Sequence, residues 1–395
     1  MLSSEHRAIV TATVPLLETG GELLTTHFYK MLLDGNPEVR ALFNFAHQAS
    51  GAQARALANA VLMYARNIER LEALGPLASQ IVNKHVSLQV LPEHYPIVGR
   101  CLLASIREVL GEEIATDAVL EAWGAAYQQL ADILIDAERQ AYDQMAAVEG
   151  GWRGAHAFRV VRKVRESAII TSFHLEPVDG GAVMAFKPGQ FIGLRLRVNG
   201  QEIRRNYSLS AAPNGHSYRI SVKREADGLA SGYLHDNVAI GDELELFPPA
   251  GNFTLSESER PLVLISGGVG ITPTLAMLEH TLNDNQRPVV FIHYARDPQV
   301  AGFVDQLEQW RDQHPQLQSF LVYENADAGA GRQPDAIGRP SLEHLQQWLP
   351  ANRDVDAYLL GPVPFMAQIR RNLRELGVPE AQTHHEFFGP AQALA

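Results

Sequence analysis

Leu262-Val263-Leu264-Ile265-Ser266-Gly267-Gly268-Val269-Gly270-Ile271-Thr272-Pro273 runs from four consecutive apolar residues into a glycine-rich turn and on towards helix-forming sequence. A short run that is apolar at every position suits a strand covered on both faces. Glycines at the turn let a phosphate approach the backbone, and the helix behind it offers N–H donors and the positive end of a dipole. Gly268, Val269, Gly270, Ile271, Thr272 and Pro273 are therefore candidate nucleotide-binding residues. The spacing departs from G-x-G-x-x-G and no acid follows at the usual distance, so the turn alone also fits a tight ligand-free connection.

Downstream, Val289–Tyr294, Phe320–Tyr323 and Tyr358–Leu360 are further apolar runs that alternate with helical stretches. Buried strands separated by helices predict a doubly wound α/β domain, here residues 259–395. Upstream, short β-rich runs follow one another: Phe158–Val164, Ile169–Leu175, Gln190–Val198, Tyr218–Lys223 and Glu243–Phe247. Turn residues such as Pro188-Gly189 and Pro213-Asn214-Gly215 separate them, which predicts an antiparallel barrel or sandwich over residues 152–258. Residues 1–146 read as helical throughout. Leu57, Val61, Tyr64 and Ile68 share one helix face, as do Val98, Leu102, Ile106 and Val109, and also Val119, Trp123, Tyr127, Leu130 and Leu134. The expected order is thus an all-α domain, an antiparallel β-barrel and an α/β domain.

The chain of 395 residues has 33 Lys plus Arg against 45 Asp plus Glu, a net charge of −12. That balance argues against nucleic acid as a partner, because no excess of cations exists to neutralise phosphates. No apolar run is long enough to span a membrane. Cys101 is the single cysteine and cannot form an internal disulfide, which fits a reducing cytoplasm.

Several polar residues stand where chemistry would need them. In the barrel, alternation puts Arg205 and Tyr207 of Arg205-Asn206-Tyr207-Ser208 on one face of a strand. An arginine pairs with a diphosphate and an aromatic ring stacks on a flat one, although these four residues alone fit a surface arginine and an edge tyrosine better. Pro188-Gly189-Gln190-Phe191 precedes that strand, and Gly228-Leu229-Ala230-Ser231 follows with backbone donors for the same phosphates. In the helical domain His85 falls on the inward stripe Leu77, Ile81, Leu88, where a lone histidine is more often a hydrogen-bonded core residue than a metal ligand. Tyr95 is in register with Val98 and Leu102, and Glu138 continues the stripe from Trp123 and Leu134. A buried carboxyl is costly unless paired, and a His–Tyr–Glu cluster answers that cost while orienting the imidazole for a metal. Solvation of Glu138 near a helix end answers it equally well. Tyr29 follows Phe28, and Gln53 stands four residues before Leu57 on that helix's apolar face, so both can project a donor into an otherwise apolar pocket, while Phe43 of Leu42-Phe43-Asn44 can pack on a planar macrocycle.

Arg-x-Tyr-Ser in a barrel, Gly-Gly-Val-Gly-x-Thr-Pro after a strand and Gly361-Pro362 after a later strand resemble the ferredoxin-reductase family. There the barrel holds FAD and the α/β domain holds NADH or NADPH. Glu386-Phe387-Phe388-Gly389-Pro390 resembles the tail that closes over the flavin in one branch. Leu360 stands where that family usually has cysteine, and Phe191 where relatives often have tyrosine. With the helical domain included, the whole chain resembles the flavohaemoglobins, bacterial and fungal nitric oxide dioxygenases.

That resemblance implies haem b, FAD and NAD(P)H as cofactors, and O2 and NO as small-molecule partners of a cytoplasmic monomer. It implies His85 as the proximal iron ligand, with Tyr95 and Glu138 bonded to it. Tyr29 matches the distal tyrosine that donates to O2, and Gln53 and Leu57 match the other distal positions. Lys84 and Glu386 match residues between haem and flavin. Phe43 packs on the macrocycle. Gln190, Phe191, Arg205, Asn206, Tyr207, Ser208 and Ser231 fall to the flavin. Arg296 is a lone cation after the second α/β strand, which leans towards NADH. An oxygen carrier or sensor with a haem-reducing domain is the rival reading. Another is a flavin reductase of ferric chelates, quinones or lipid hydroperoxides.

Overall fold

The computed structural model describes residues 2–43, 51–284, 286–325 and 333–388. Among them, the N-terminal part is built from helices Ser4–Ala12, Val14–Gly35, Ala52–Arg66, Gly75–Leu88, Tyr95–Leu110 and Asp117–Ala147. Pro37 and Pro92 each open a short 3-10 turn between helices, where a missing N–H costs nothing. Ile68 lies two residues beyond the helix that carries Leu57 and Val61, yet remains in the core. The second and third helices cross closely: Thr25 Oγ1 donates to Ala54 O at 2.9 Å, and a Cβ on Gly21 would stand 3.5 Å from that of Ala58. Trp123 Nε1 donates to Thr13 Oγ1 at 3.2 Å and ties the last helix to the break between the first two.

The central domain is an antiparallel sheet of β1 (His156–Arg165), β2 (Ile170–Pro177), β3 (Phe191–Val198), β4 (Gln201–Ser208), β5 (Tyr218–Lys223) and β6 (Glu243–Leu246). Its order is β4-β3-β6-β1-β2-β5. The sheet curls until its two edges meet, where Leu209 bridges Ile220 and Ser210 N donates to Arg219 O at 2.8 Å. Closure removes the exposed edges and wraps a core of Phe158, Phe173, Leu194, Leu246 and Tyr218. A helix, Leu229–Asn237, follows where the sequence suggested only a donor-bearing turn. Gly228 and Gly232 mask its helical signal, because glycine is a poor helix former.

The last domain is a sheet of β7 (Leu262–Gly267), β8 (Val289–Ala295), β9 (Leu317–Tyr323), β10 (Ala336–Ile337), β11 (Asp356–Leu360) and β12 (Thr383–His385). Every pairing is parallel, in the order β10-β9-β8-β7-β11-β12. Helices Ile271–Asp284, Val304–Gln313, Leu342–Trp348 and Val363–Glu375 cover it. Every residue of β7 and of β8 is buried, as their mostly apolar texture requires, and the polar side chains of Ser266 and His293 among them hydrogen-bond to each other. Successive strands go one way from β7 and then the other, so the crevice between β7 and β11 is the switch point of the sheet. Among the described residues no helix is long and apolar enough to cross a membrane.

Candidate functional site

The helix Gly75–Leu88 carries His85 in its last turn and Asp117–Ala147 carries Glu138 past mid-length. Glu138 is 2% exposed, which excludes a solvated carboxyl near a helix end. His85 Nδ1 lies 2.7 Å from Glu138 Oε1, and Tyr95 Oη donates to the same oxygen at 2.6 Å. Tyr95 itself is fixed from behind, since Tyr127 Oη donates to its carbonyl at 2.7 Å. Burial, then the neighbouring Glu138, pushes the Tyr95 hydroxyl far above its ordinary pKa and keeps it a donor. With the carboxyl accepting, the imidazole proton sits on Nδ1 and the lone pair of Nε2 is free for a metal. The donor set therefore fits an iron bound through one imidazole.

Tyr29 lies on the helix Val14–Gly35 and is 8% exposed. Its ring meets Phe28 edge-on at 5.0 Å and Phe43 at 5.6 Å. Burial raises the pKa of its hydroxyl, partly offset by a hydrogen bond with the Gln53 side chain. Tyr29 and Gln53 thus form one polar pair in an apolar wall to which Phe43 and Leu57 belong. A phenol held protonated in such a wall can donate to a small polarised ligand.

On β4, Arg205 and Tyr207 lie on one face. Burial lowers the Arg205 pKa and the nearby Tyr207 counters it; among the described residues its guanidinium donates to the Arg204 carbonyl at 2.7 Å and pairs with no carboxylate. A desolvated guanidinium without an acidic partner fits an anionic ligand such as a diphosphate. Asn206 turns to the other face and donates to Ser87 Oγ at 2.8 Å, so its side chain meets the helical domain. Gln190 bridges two loops, with Nε2 donating to Gly251 O at 3.1 Å and Oε1 accepting from Lys187 N at 2.9 Å. Phe191 pairs with Ser208 across β3 and β4, and its ring lies so close to Gly251 that a Cβ there would come within 2.8 Å. Ser231 Oγ accepts from Glu225 N and donates to Gly228 O, both at 3.1 Å, shaping the loop ahead of its helix.

In the α/β domain Gly268–Gly270 forms one 3-10 turn between β7 and the helix Ile271–Asp284. Gly268 has φ +56°, a left-handed conformation that glycine takes without strain. Any Cβ on Gly270 would overlap the carbonyl oxygen of Leu360. The two glycine motifs, far apart in sequence, therefore meet at the switch point. Thr272 Oγ1 donates to Val269 O at 3.0 Å and braces the turn, beside Ile271 and Pro273 at the helix start. Leu360 is buried. Phe365 was not expected from sequence: its ring covers both Gly267 and Gly361, at 3.2 and 2.7 Å from the Cβ each would carry.

At the other end, Lys84 is desolvated, which lowers its pKa, and Glu386 counters this, so the helical domain and the C-terminal segment are electrostatic neighbours. Phe387 packs on the α/β core and Phe388 is exposed. Gly389 and Pro390 lie outside the described residues. Arg296 is exposed and 3.3 Å from Asp297 Oδ2.

These three sites on these three folds define a class: a globin joined to a two-domain oxidoreductase. The globin family model matches residues 26–134, the oxidoreductase FAD-binding domain 157–255, and the oxidoreductase NAD-binding domain 264–371. The chain is 64% identical to the flavohemoprotein of Pseudomonas aeruginosa, with 100% of each chain covered. It is 48% identical to that of Deinococcus radiodurans, over 100% of this chain and 99% of that one. The chain belongs to the flavohemoprotein family. A crystal structure of flavohemoglobin from Malassezia yamatoensis with bound FAD and heme matches with TM-score 0.83 at 27% identity, over 98% of this chain and 100% of that one. The FAD/NAD-binding domain of nitric oxide dioxygenase from Vibrio cholerae matches 60% of this chain and 100% of its own, with TM-score 0.56 and 39% identity.

Proposed function

We propose that this protein is an NAD(P)H-dependent nitric oxide dioxygenase, a cytoplasmic monomer with a globin domain over residues 1–146, a flavin barrel over 152–258 and a nicotinamide domain over 259–395. Haem b and FAD, when bound, supply the redox chemistry that carries electrons from NAD(P)H to the combination of O2 with NO, giving nitrate. The observation that carries the reading is the His85–Glu138–Tyr95 cluster, with Nδ1 committed at 2.7 Å and Nε2 left for iron.

The chain's own residues have distinct tasks. Glu138 holds the Nδ1 proton of His85 and makes the imidazole a stronger donor through Nε2. Tyr95 fills a second acceptor site of that carboxyl and keeps it in place. Tyr29, protonated and oriented with Gln53, donates to a negatively polarised small ligand. Leu57 and Phe43 keep water from that pocket. Arg205 binds the FAD diphosphate and Tyr207 packs beside it, with Gln190, Phe191, Ser208 and Ser231 shaping the cleft. The turn Gly268–Gly270 and the helix beginning at Ile271 receive the phosphates of the dinucleotide. Lys84 and Glu386 set the charge where the globin meets the C-terminal segment.

NAD(P)H consumption in air, with and without NO, tests the reading. It expects NO-dependent consumption with nitrate formed in step with NO removed. Consumption unchanged by NO would replace it with the carrier or sensor reading. Activity on ferric chelates, quinones or lipid hydroperoxides that survives haem removal would favour the plain reductase.

A further inference from the structure

The helix that carries His85 has a second polar stripe on its outer side, and the barrel holds it. Ser79, Asn83 and Ser87 are spaced by four residues and therefore share one face. Asn83 Nδ2 donates to Asn252 Oδ1 at 3.0 Å, and Asn83 Oδ1 accepts from Gly251 N at 3.2 Å. Asn252 Nδ2 donates in turn to Ser79 Oγ at 2.8 Å. Ser87, wholly buried, accepts from Asn206 at 2.8 Å. The same helix ends against β4: Arg204 Nη1 donates to the carbonyls of Leu88 and Gln89 at 2.6 and 3.2 Å. Those carbonyls have no partner within their own helix, and a cation at a helix C-terminus also meets the negative end of its dipole. Glu202 and the ring of Phe247, 5.3 Å from the guanidinium carbon, hold Arg204 in position. Gly193 on β3 admits the helix, since any Cβ there would overlap the Ser87 carbonyl oxygen.

The consequence lies in the pleat of β4. Arg205 and Tyr207 face the flavin side, whereas Arg204 and Asn206 face the helix of His85. One strand thus grips both redox domains through adjacent residues. We propose that Arg204, Asn83, Ser79 and Asn252 are positioning residues, which dock the His85 helix on the barrel and fix the separation across which electrons pass from flavin to haem. This rests on the functional reading above, in which flavin reduces haem.

The experiment uses the full-length holoenzyme with Asn83→Leu and Arg204→Ala, and the conservative Asn83→Asp and Arg204→Lys. Aspartate keeps an acceptor for Gly251 N and, after Asn252 turns its amide, a second contact. Rapid mixing with NADH follows flavin bleaching and haem reduction separately. Hydrogen exchange follows peptides from residues 75–88 and 247–253. We expect flavin to be reduced at the wild-type rate. Haem reduction should slow between about tenfold and a hundredfold, the scale that small misplacements cost in positioned chemistry. Amide protection should fall in both peptides together, and the conservative variants should recover most of the rate. Haem reduction at the wild-type rate in both disruptive variants overturns the proposal. So does parallel slowing of flavin reduction, or protection lost only from 75–88, which marks a helix-stability role. If wild-type protein bleaches its flavin but leaves its haem ferric, the functional reading falls instead, and paired exchange loss still supports the docking.

Discussion

Two histidines sit on inward faces of this molecule, each held through Nδ1, by partners of opposite character. His85 Nδ1 is 2.7 Å from the carboxyl of Glu138, and its side chain keeps 32% of its exposure. His293, on β8, has Nδ1 at 2.8 Å from the Ser266 hydroxyl and is 1% exposed. A carboxyl anchor orients an imidazole and strengthens the other nitrogen as a ligand, whereas a hydroxyl satisfies a buried ring without adding charge. The two inward histidines thus differ in their anchors, a buried carboxyl for His85 and a neutral hydroxyl for His293.

The sharpest break in this comparison is removal of each ring. His85→Ala should abolish stable haem retention while FAD stays bound, because the two domains have separate cores. His293→Ala should leave the haem spectrum intact and lower stability. Absorption spectra after gel filtration check both. A normal haem spectrum in His85→Ala would remove the basis for calling it the ligand.

A second separation is by pH. Burial, partly offset by a hydrogen bond to Ser266, lowers the His293 pKa from 6.5 to about 4. The unfolded chain therefore binds the proton first as pH falls. The stability that the neutral ring contributes is complete above about pH 6.5, declines between 6.5 and 4, and is gone below 4. At about 1.36 kcal/mol per pKa unit the whole change is on the order of 3 kcal/mol. Urea unfolding across that window should show a shallower pH slope in His293→Asn than in wild type. Equal slopes would mean that the ring is not held neutral.

Next in size is the carboxyl that anchors His85. Glu138→Gln keeps a hydrogen-bonding group but removes the negative charge near His85. Loss of such an outer partner typically costs about 10–100-fold in metal affinity. Haem transfer to an apoglobin scavenger measures it. Unchanged transfer kinetics would reduce Glu138 to a packing role.

How much of this was legible beforehand depended on periodicity. The stripe Leu77, Ile81, Leu88 brought His85 inward, and Tyr95 and Glu138 followed from their own helices, because a 3.6-residue period fixes direction. The apolar runs Leu262–Ile265 and Val289–Ile292 likewise read as strands covered on both faces. The outer face of the His85 helix carries no such apolar periodicity. Nothing local marks Ser79, Asn83 and Ser87, because the barrel residues that cover them lie far along the chain. Asn206 is expected at the flavin with Arg205 and Tyr207, but the pleat turns its side chain the other way, to Ser87, 119 residues distant in the chain. Phe365 escaped for a similar reason: its contacts with Gly267 and Gly361 depend on how β7 and β11 pair.

The smallest effect tests the structural histidine through its partner. Ser266→Ala removes a hydroxyl from a residue that is itself fully buried, leaving His293 Nδ1 without that bond. A net hydrogen bond contributes about 0.5–1.5 kcal/mol, and an unsatisfied buried nitrogen raises the cost towards 1–3 kcal/mol. Tilting of the ring can recover part of it through the Ser266 backbone. A loss of about 1 kcal/mol in urea unfolding at pH 7.5 is therefore expected. Haem transfer should be unchanged, because Ser266 and His293 lie in the α/β core and Glu138 in the globin core. Haem transfer accelerated as strongly as in Glu138→Gln would show that the two histidine anchors are coupled, and the contrast between ligand and core histidine would fail.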